Sequence, residues 1–178
     1  MKKPLLYGTL TVLGIAGAGY AAVTAQRFYH NYQRKRSTVN TFAVQNVKTG
    51  MNIRPYNAGI DDWVKMIQYK HADWECMTWQ FIQVEDGSYL LKNLYTHKTF
   101  QPAAAEAGVA LWQQPLEANR YQYWELIKNS DETCLIRLKG TELYVTVLSA
   151  ESNSSVILMP LQNSLEQQWR LIEQHPIV

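Results

Sequence analysis

The side chains with chemistry to offer are four histidines (His30, His71, His97, His175), two cysteines (Cys76, Cys134) and two acidic pairs, Asp61-Asp62 and Glu85-Asp86. Metal capture needs such ligands at short fixed intervals, as when two histidines four apart share one helix face. The histidines are scattered without a two-ligand spacing, and neither cysteine has a Cys or His at metal-site distance. No Gly-rich phosphate loop and no Gly-x-Ser-x-Gly elbow is present. The acidic pairs stand among turn residues, where carboxylates are ordinarily hydrated. The chain is therefore expected to be no enzyme and to need no metal or cofactor. What remains is aromatic. The stretch "DDWVKMIQYKHADWECMTW" holds Trp63, Tyr69, His71 and Trp74 beside polar residues. Such a collection serves either as a contact surface or as a plug for the open end of a barrel.

Charge narrows the partners further. Seventeen basic residues face fifteen acidic ones, a net charge of +2, which is not the strong positive field that nucleic acid requires. Six Trp and eleven Tyr are many for 178 residues, and they act as core wedges or as amphipathic contact area. Two cysteines define no disulfide framework.

The first 26 residues stand apart. From Pro4 to Ala25 no residue is charged, a run of 22, and roughly 20 helical residues cross a bilayer core. Lys2 and Lys3 precede it, and "QRFYHNYQRKR" follows as a basic, aromatic flank of the kind found at a membrane interface. Residues 1–26 are expected to be a transmembrane anchor, with a secretory signal cleaved near Val23 and Ala25 as the alternative. Residues 27–40 read as a basic juxtamembrane linker. A single-pass protein with its domain outside the cytoplasm is the expectation, or a secreted one after cleavage.

From residue 41 onward the elements emerge from repetition. Trp79, Trp124 and Trp169 are each 45 residues from the next, in "MTWQFI", "QYWELI" and "QQWRLI". Ahead of them, "TFAVQNVKTGMNIRP", "SYLLKNLYTHKTFQP" and "TCLIRLKGTELYVTV" superpose without a gap, bringing Phe42, Tyr89 and Cys134 into one column and Ile53, Phe100 and Val145 into another. Apolar and polar residues alternate with the period of a strand. Asp86-Gly87 between two alternating runs is a hairpin signal. A third run in each copy, "VKMIQYK", "GVALWQQP" or "SVILMPL", completes four short strands per copy. Three copies of four strands predict a closed, all-β, threefold assembly over residues 41–178, with the three tryptophans as core and "WRLI" pairing with "TFAVQNV" as "WQFI" pairs with "SYLLKNL".

Three 45-residue units, each ending in a Gln-x-Trp-like phrase, resemble the ricin B-type lectin domain, a β-trefoil, over residues 41–172. Gln122-Tyr123-Trp124 and Gln167-Gln168-Trp169 carry the phrase, while the first copy has Met77 in place of its Gln. More distantly, the chain is similar to the A and C subunits of cytolethal distending toxins, whose trefoils have degenerate sugar sites. The resemblance implies a shallow pocket per unit, made from an acidic residue, a ring for the sugar's apolar face and amides for its hydroxyls. The acidic position falls at Arg54, Gln101 and Thr146, and the ring position at Ile67, Trp112 and Ile157, so only the second unit keeps a ring. There Gln101, Trp112 and Gln113, with Asn119 and Tyr121 nearby, are the expected ligand-binding residues. The implied function is a membrane-anchored, lectin-like module for a glycan or glycoconjugate. The alternative is a protein-binding trefoil, either a toxin-delivery subunit or a membrane-tethered adaptor, that meets its partner through Trp63, Tyr69, His71 and Trp74.

Overall fold

The computed structural model describes residues 39–84 and 86–176. The anchor or signal segment, and the linker up to residue 38, lie outside the described residues. No helix among the described residues is long and apolar enough to cross a membrane.

Twelve strands run through the domain: β1 (Thr41–Asn46), β2 (Met51–Pro55), β3 (Met66–Lys70), β4 (Thr78–Gln83), β5 (Tyr89–Asn93), β6 (Thr99–Pro102), β7 (Leu111–Gln114), β8 (Trp124–Lys128), β9 (Cys134–Leu138), β10 (Leu143–Val147), β11 (Val156–Pro160) and β12 (Trp169–Glu173). That is four per copy, as the alternation predicts. Strands β1, β4, β5, β8, β9 and β12 pair in that order, and β12 returns to β1, closing a six-stranded barrel without a free edge. The expected register holds, with Asn46 opposite Trp169 and Asn93 opposite Trp79. The other six strands form three hairpins, β2–β3, β6–β7 and β10–β11.

These hairpins meet around a threefold axis. Lys65 bridges Trp112, Ala110 bridges Ile157, and Ser155 bridges Ile67. Lys65, Ala110 and Ser155 occupy one column of the repeat and Ile67, Trp112 and Ile157 another, so each hairpin hands its bridge to the next and the third returns to the first. This is the β-trefoil that the repeat predicts.

Trp79, Trp124 and Trp169 are fully buried. Around them pack Val44, Leu91 and Ile136; Ile53, Phe100 and Val145; and Met66, Leu111 and Val156, the same columns in each copy. The lower barrel layer is less even. Phe42, Phe81 and Tyr89 meet edge to face, with centroids 5.4 and 6.1 Å apart, but on the third side Cys134, Leu126 and Leu171 are smaller and line a cavity of about 380 Å³. Cys134 is a buried core residue whose thiol burial pushes up to about 11.

The turns also follow the sequence. Gly87 takes φ +83° in the β4–β5 turn, a value that suits glycine. Asp86 Oδ1 there accepts from Ser88 N and Ser88 Oγ; Asp131 Oδ1 does the same with Thr133 in the next such turn. The Thr133 hydroxyl holds the Asp131 carboxyl below its usual range.

Candidate functional site

In the second repeat Gln101 on β6 stands directly opposite Trp112 on β7. Residues facing each other across an antiparallel pair project from the same side of the sheet. The Trp112 ring is half-buried, and Lys65 Nζ lies 5.6 Å from its centroid. The oxygen of Gln101 is committed, since Oε1 accepts from Asn119 Nδ2 at 3.0 Å and from Gln122 Nε2 at 2.7 Å. This fixes the amide's orientation and leaves its two Nε2 N–H donors without a bond among the described residues. Asn119 Oδ1 in turn accepts from Tyr121 N, and Gln122 Oε1 accepts from Glu117 N and Ala118 N. The Gln of the Gln-x-Trp phrase therefore ties the β7–β8 loop to the β6–β7 hairpin, and Gln101 is held by it. Tyr121 leans on the core, with its hydroxyl accepting from Arg120 Nη2 at 2.8 Å.

Gln113 is a correction. Alternation along β7 turns it to the side opposite Trp112, where it is fully buried and its Nε2 donates to Gly59 O and Asp61 O at 2.9 and 2.8 Å. Gln68, its counterpart in the first repeat, donates likewise to Ser149 O and Glu151 O. Both glutamines pin the long hairpin loop of a neighbouring repeat, and Gln113 is a structural residue with no face toward a ligand. The sequence held this signal, because Gln68 and Gln113 lie 45 residues apart.

In the first repeat the other predicted residues gather only in part. Tyr69 and Trp74 stack at 6.5 Å, and the Arg54 guanidinium lies 3.8 Å from the Tyr69 centroid and 6.0 Å from that of Trp74. Arg54 is 8% exposed, and its Nε has no hydrogen-bond partner. His71 Nδ1 accepts from Asn52 Nδ2 at 2.8 Å. Trp63 stands at the tip of the β2–β3 loop, 58% exposed, held by its backbone N–H to Gln113 O. A cleft of about 290 Å³ opens beside Trp74, lined by Ala58, Asp73, Glu75, Cys76, Tyr95 and Pro176. Burial raises the Cys76 thiol above its ordinary value, with Arg54 partly opposing.

Residues 75–160 match the ricin-type β-trefoil lectin domain-like family. The domain is a β-trefoil, and its residues 75–160 carry the likeness to the ricin-type family. Among solved structures it is similar to the designed threefold-symmetric protein ThreeFoil, at 20% identity with a TM-score of 0.72, over 75% of this chain and 98% of that one. The ricin B-like lectin of Macrolepiota procera in complex with lactose matches at 17% identity and a TM-score of 0.66, over 77% and 97%. An exo-β-1,3-galactanase from Clostridium thermocellum matches at 16% identity and a TM-score of 0.73, over 76% of this chain but only 30% of the enzyme. No curated protein sequence matches the chain.

The three copies of the trefoil act as controls for one another. In the third repeat Gln167 Nε2 donates to Thr146 Oγ1 at 3.0 Å, as Gln122 does to Gln101 in the second. The first repeat breaks the rule, because Met77 offers no amide and Arg54 stacks on Tyr69 instead. Ile67 and Ile157, at the place of Trp112, are buried. Only the second repeat of the trefoil therefore joins a half-exposed ring to an amide with free donors.

Proposed function

We propose that the trefoil is a non-catalytic carbohydrate-binding module whose site is the face shared by Gln101 and Trp112. The observation that carries this reading is their pairing across β6 and β7. An indole offers a flat apolar surface for the C–H face of a sugar ring. Beside it, an amide whose oxygen is already committed presents N–H donors to sugar hydroxyls in a fixed direction. Asn119 and Gln122 are positioning residues, acting through Gln101. The lactose complex of the M. procera lectin supports a carbohydrate as the ligand class. The test is retention on a glycan array. Trp112→Ala is expected to lose the retained glycans while melting as the wild type does; undiminished retention would refute the site.

The same reading includes membrane attachment through residues 4–25, on the strength of their uncharged length and basic flank. Protease treatment of intact cells with a C-terminal tag tests it. A digested tag on a full-length chain is expected; a soluble, shortened chain would mean a cleaved signal.

The exposure of Trp63 and Trp74, 58% and 49%, favours a second reading in which a protein partner is met at the first repeat. Binding lost on changing these two and retained in Trp112→Ala would favour it.

A further inference from the structure

We infer that the cleft of the first repeat is a site for an organic cation, a primary ammonium or guanidinium group. Trp74 and Tyr95, 49% and 48% exposed, line it together with the acidic residues Asp73 and Glu75. Neither carboxylate has an ion-pair partner among the described residues. Rings and unpaired carboxylates around one small space are the chemistry that holds a cation by its charge and by its attraction to π faces. Arg54 sits against Trp74 from the buried side, one positive charge against two negative ones.

The threefold repeat supplies the comparison. Cys76 and Tyr95 both line the cleft at the seam between repeats one and two, where Asn93 Nδ2 donates to Cys76 O. At the corresponding seam between repeats three and one, Asn46 Nδ2 donates to Glu166 O, and the Lys48 ammonium pairs with the Glu166 carboxylate. At the seam between repeats two and three, Arg120 lies 4.7 Å from the Tyr121 ring. These two seams thus carry a chain cation at the positions that Tyr95 and Glu75 occupy in the first. The first has Tyr95 where the other has Lys48, and Glu75 where the second has Arg120. It keeps rings and acidic residues, and its own cation, Arg54, lies behind the Trp74 ring as one positive charge against two negative ones. An ammonium from outside would complete it. An amino sugar and a basic side chain of a protein both carry that group.

The test is tryptophan fluorescence of the full chain carrying Trp112→Ala, so that sugar bound at the second repeat does not contribute. The titrants are glucosamine, Nα-acetyl-lysine methylamide and, as the neutral counterpart, N-acetylglucosamine. A saturable change is expected with at least one amine and not with N-acetylglucosamine, and it should vanish in Trp74→Phe. Asp73→Asn with Glu75→Gln should weaken it about tenfold, as should high salt. Response to glucosamine alone assigns the cation to a glycan, and response to the lysine derivative alone assigns it to a protein side chain. No saturation with either amine overturns the inference, as does equal binding of the neutral sugar. So does undiminished binding by the charge-neutral variant; if that variant fails to fold, Glu75→Gln alone and the salt series decide.

Discussion

Phe100 lies against Trp124, ring centroids 5.1 Å apart, and Trp124 is the one motif tryptophan whose indole N–H finds no acceptor. Trp79 Nε1 donates to Ile53 O and Trp169 Nε1 to Val145 O, and Phe100 is the counterpart of Ile53 and Val145. A ring in the second copy thus coincides with the loss of a bond that the aliphatic residues permit. Trp→Phe should accordingly cost less at Trp124 than at Trp79 or Trp169, by about 1 kcal/mol or more, because only the latter two leave a buried carbonyl unpaired. Urea denaturation of the three variants checks this. Trp124→Ala should still cost about 3 to 5 kcal/mol, since the buried volume is lost whatever the hydrogen bond does.

Trp112 and Gln113 are neighbours with opposite duties, which makes a paired experiment. Trp112→Ala should remove glycan retention with little change in melting temperature. Gln113→Ala should cost about 1 to 3 kcal/mol by leaving Gly59 O and Asp61 O unserved. At a temperature where it remains folded, it should still retain glycan. If Gln113→Ala loses binding at full stability, the amide has a direct role that its burial denies.

Burial of Cys134 sets an alkaline limit. The folded thiol titrates at about 11 against 9.0 for a free one, so the thiol form favours folding. That contribution is fully present below pH 9.0, declines above it and is gone past about 11, a loss on the order of 2 to 3 kcal/mol. Cys134→Val should flatten the fall in stability across this window relative to the wild type. Parallel curves for the two proteins would mean that the fall belongs to other groups.

Cys134→Phe tests the uneven barrel layer. Its column holds Phe42 and Tyr89, and the cavity of about 380 Å³ lies beside it. A ring there should raise the melting temperature, by about 1 kcal/mol of added stability, as cavity-filling changes commonly do. A lower melting temperature would show that the surrounding strands cannot admit a ring.

The barrel was legible because the repeat constrains it three times over. Trp79, Trp124 and Trp169 could share one spacing only by sharing one environment, and the alternation around them gave strand faces and the β1–β12 register. Columns also placed Cys134 in the core. The family resemblance puts Gln113 in the pocket, whereas the strand period of β7 turns it away from Trp112. The first repeat was less readable. Trp63 and Trp74 stand in loops with no period to orient them, and the stacking of Arg54 on Tyr69 is a pairing across β2 and β3 that no motif marks. Lys65 was missed as well, although it shares a column with Ala110 and Ser155.

Thr41 and Gln174 are tied at the barrel's seam, with Thr41 Oγ1 donating to Gln174 O at 2.7 Å and Gln174 N to Thr41 O at 3.1 Å. During synthesis, a ribosome that has released the first two repeats has released strands whose last partner does not yet exist. β1 must wait for β12, so the domain cannot close until almost its whole length has emerged, and its nascent form exposes strand edges that invite chaperones or strand exchange with a second copy.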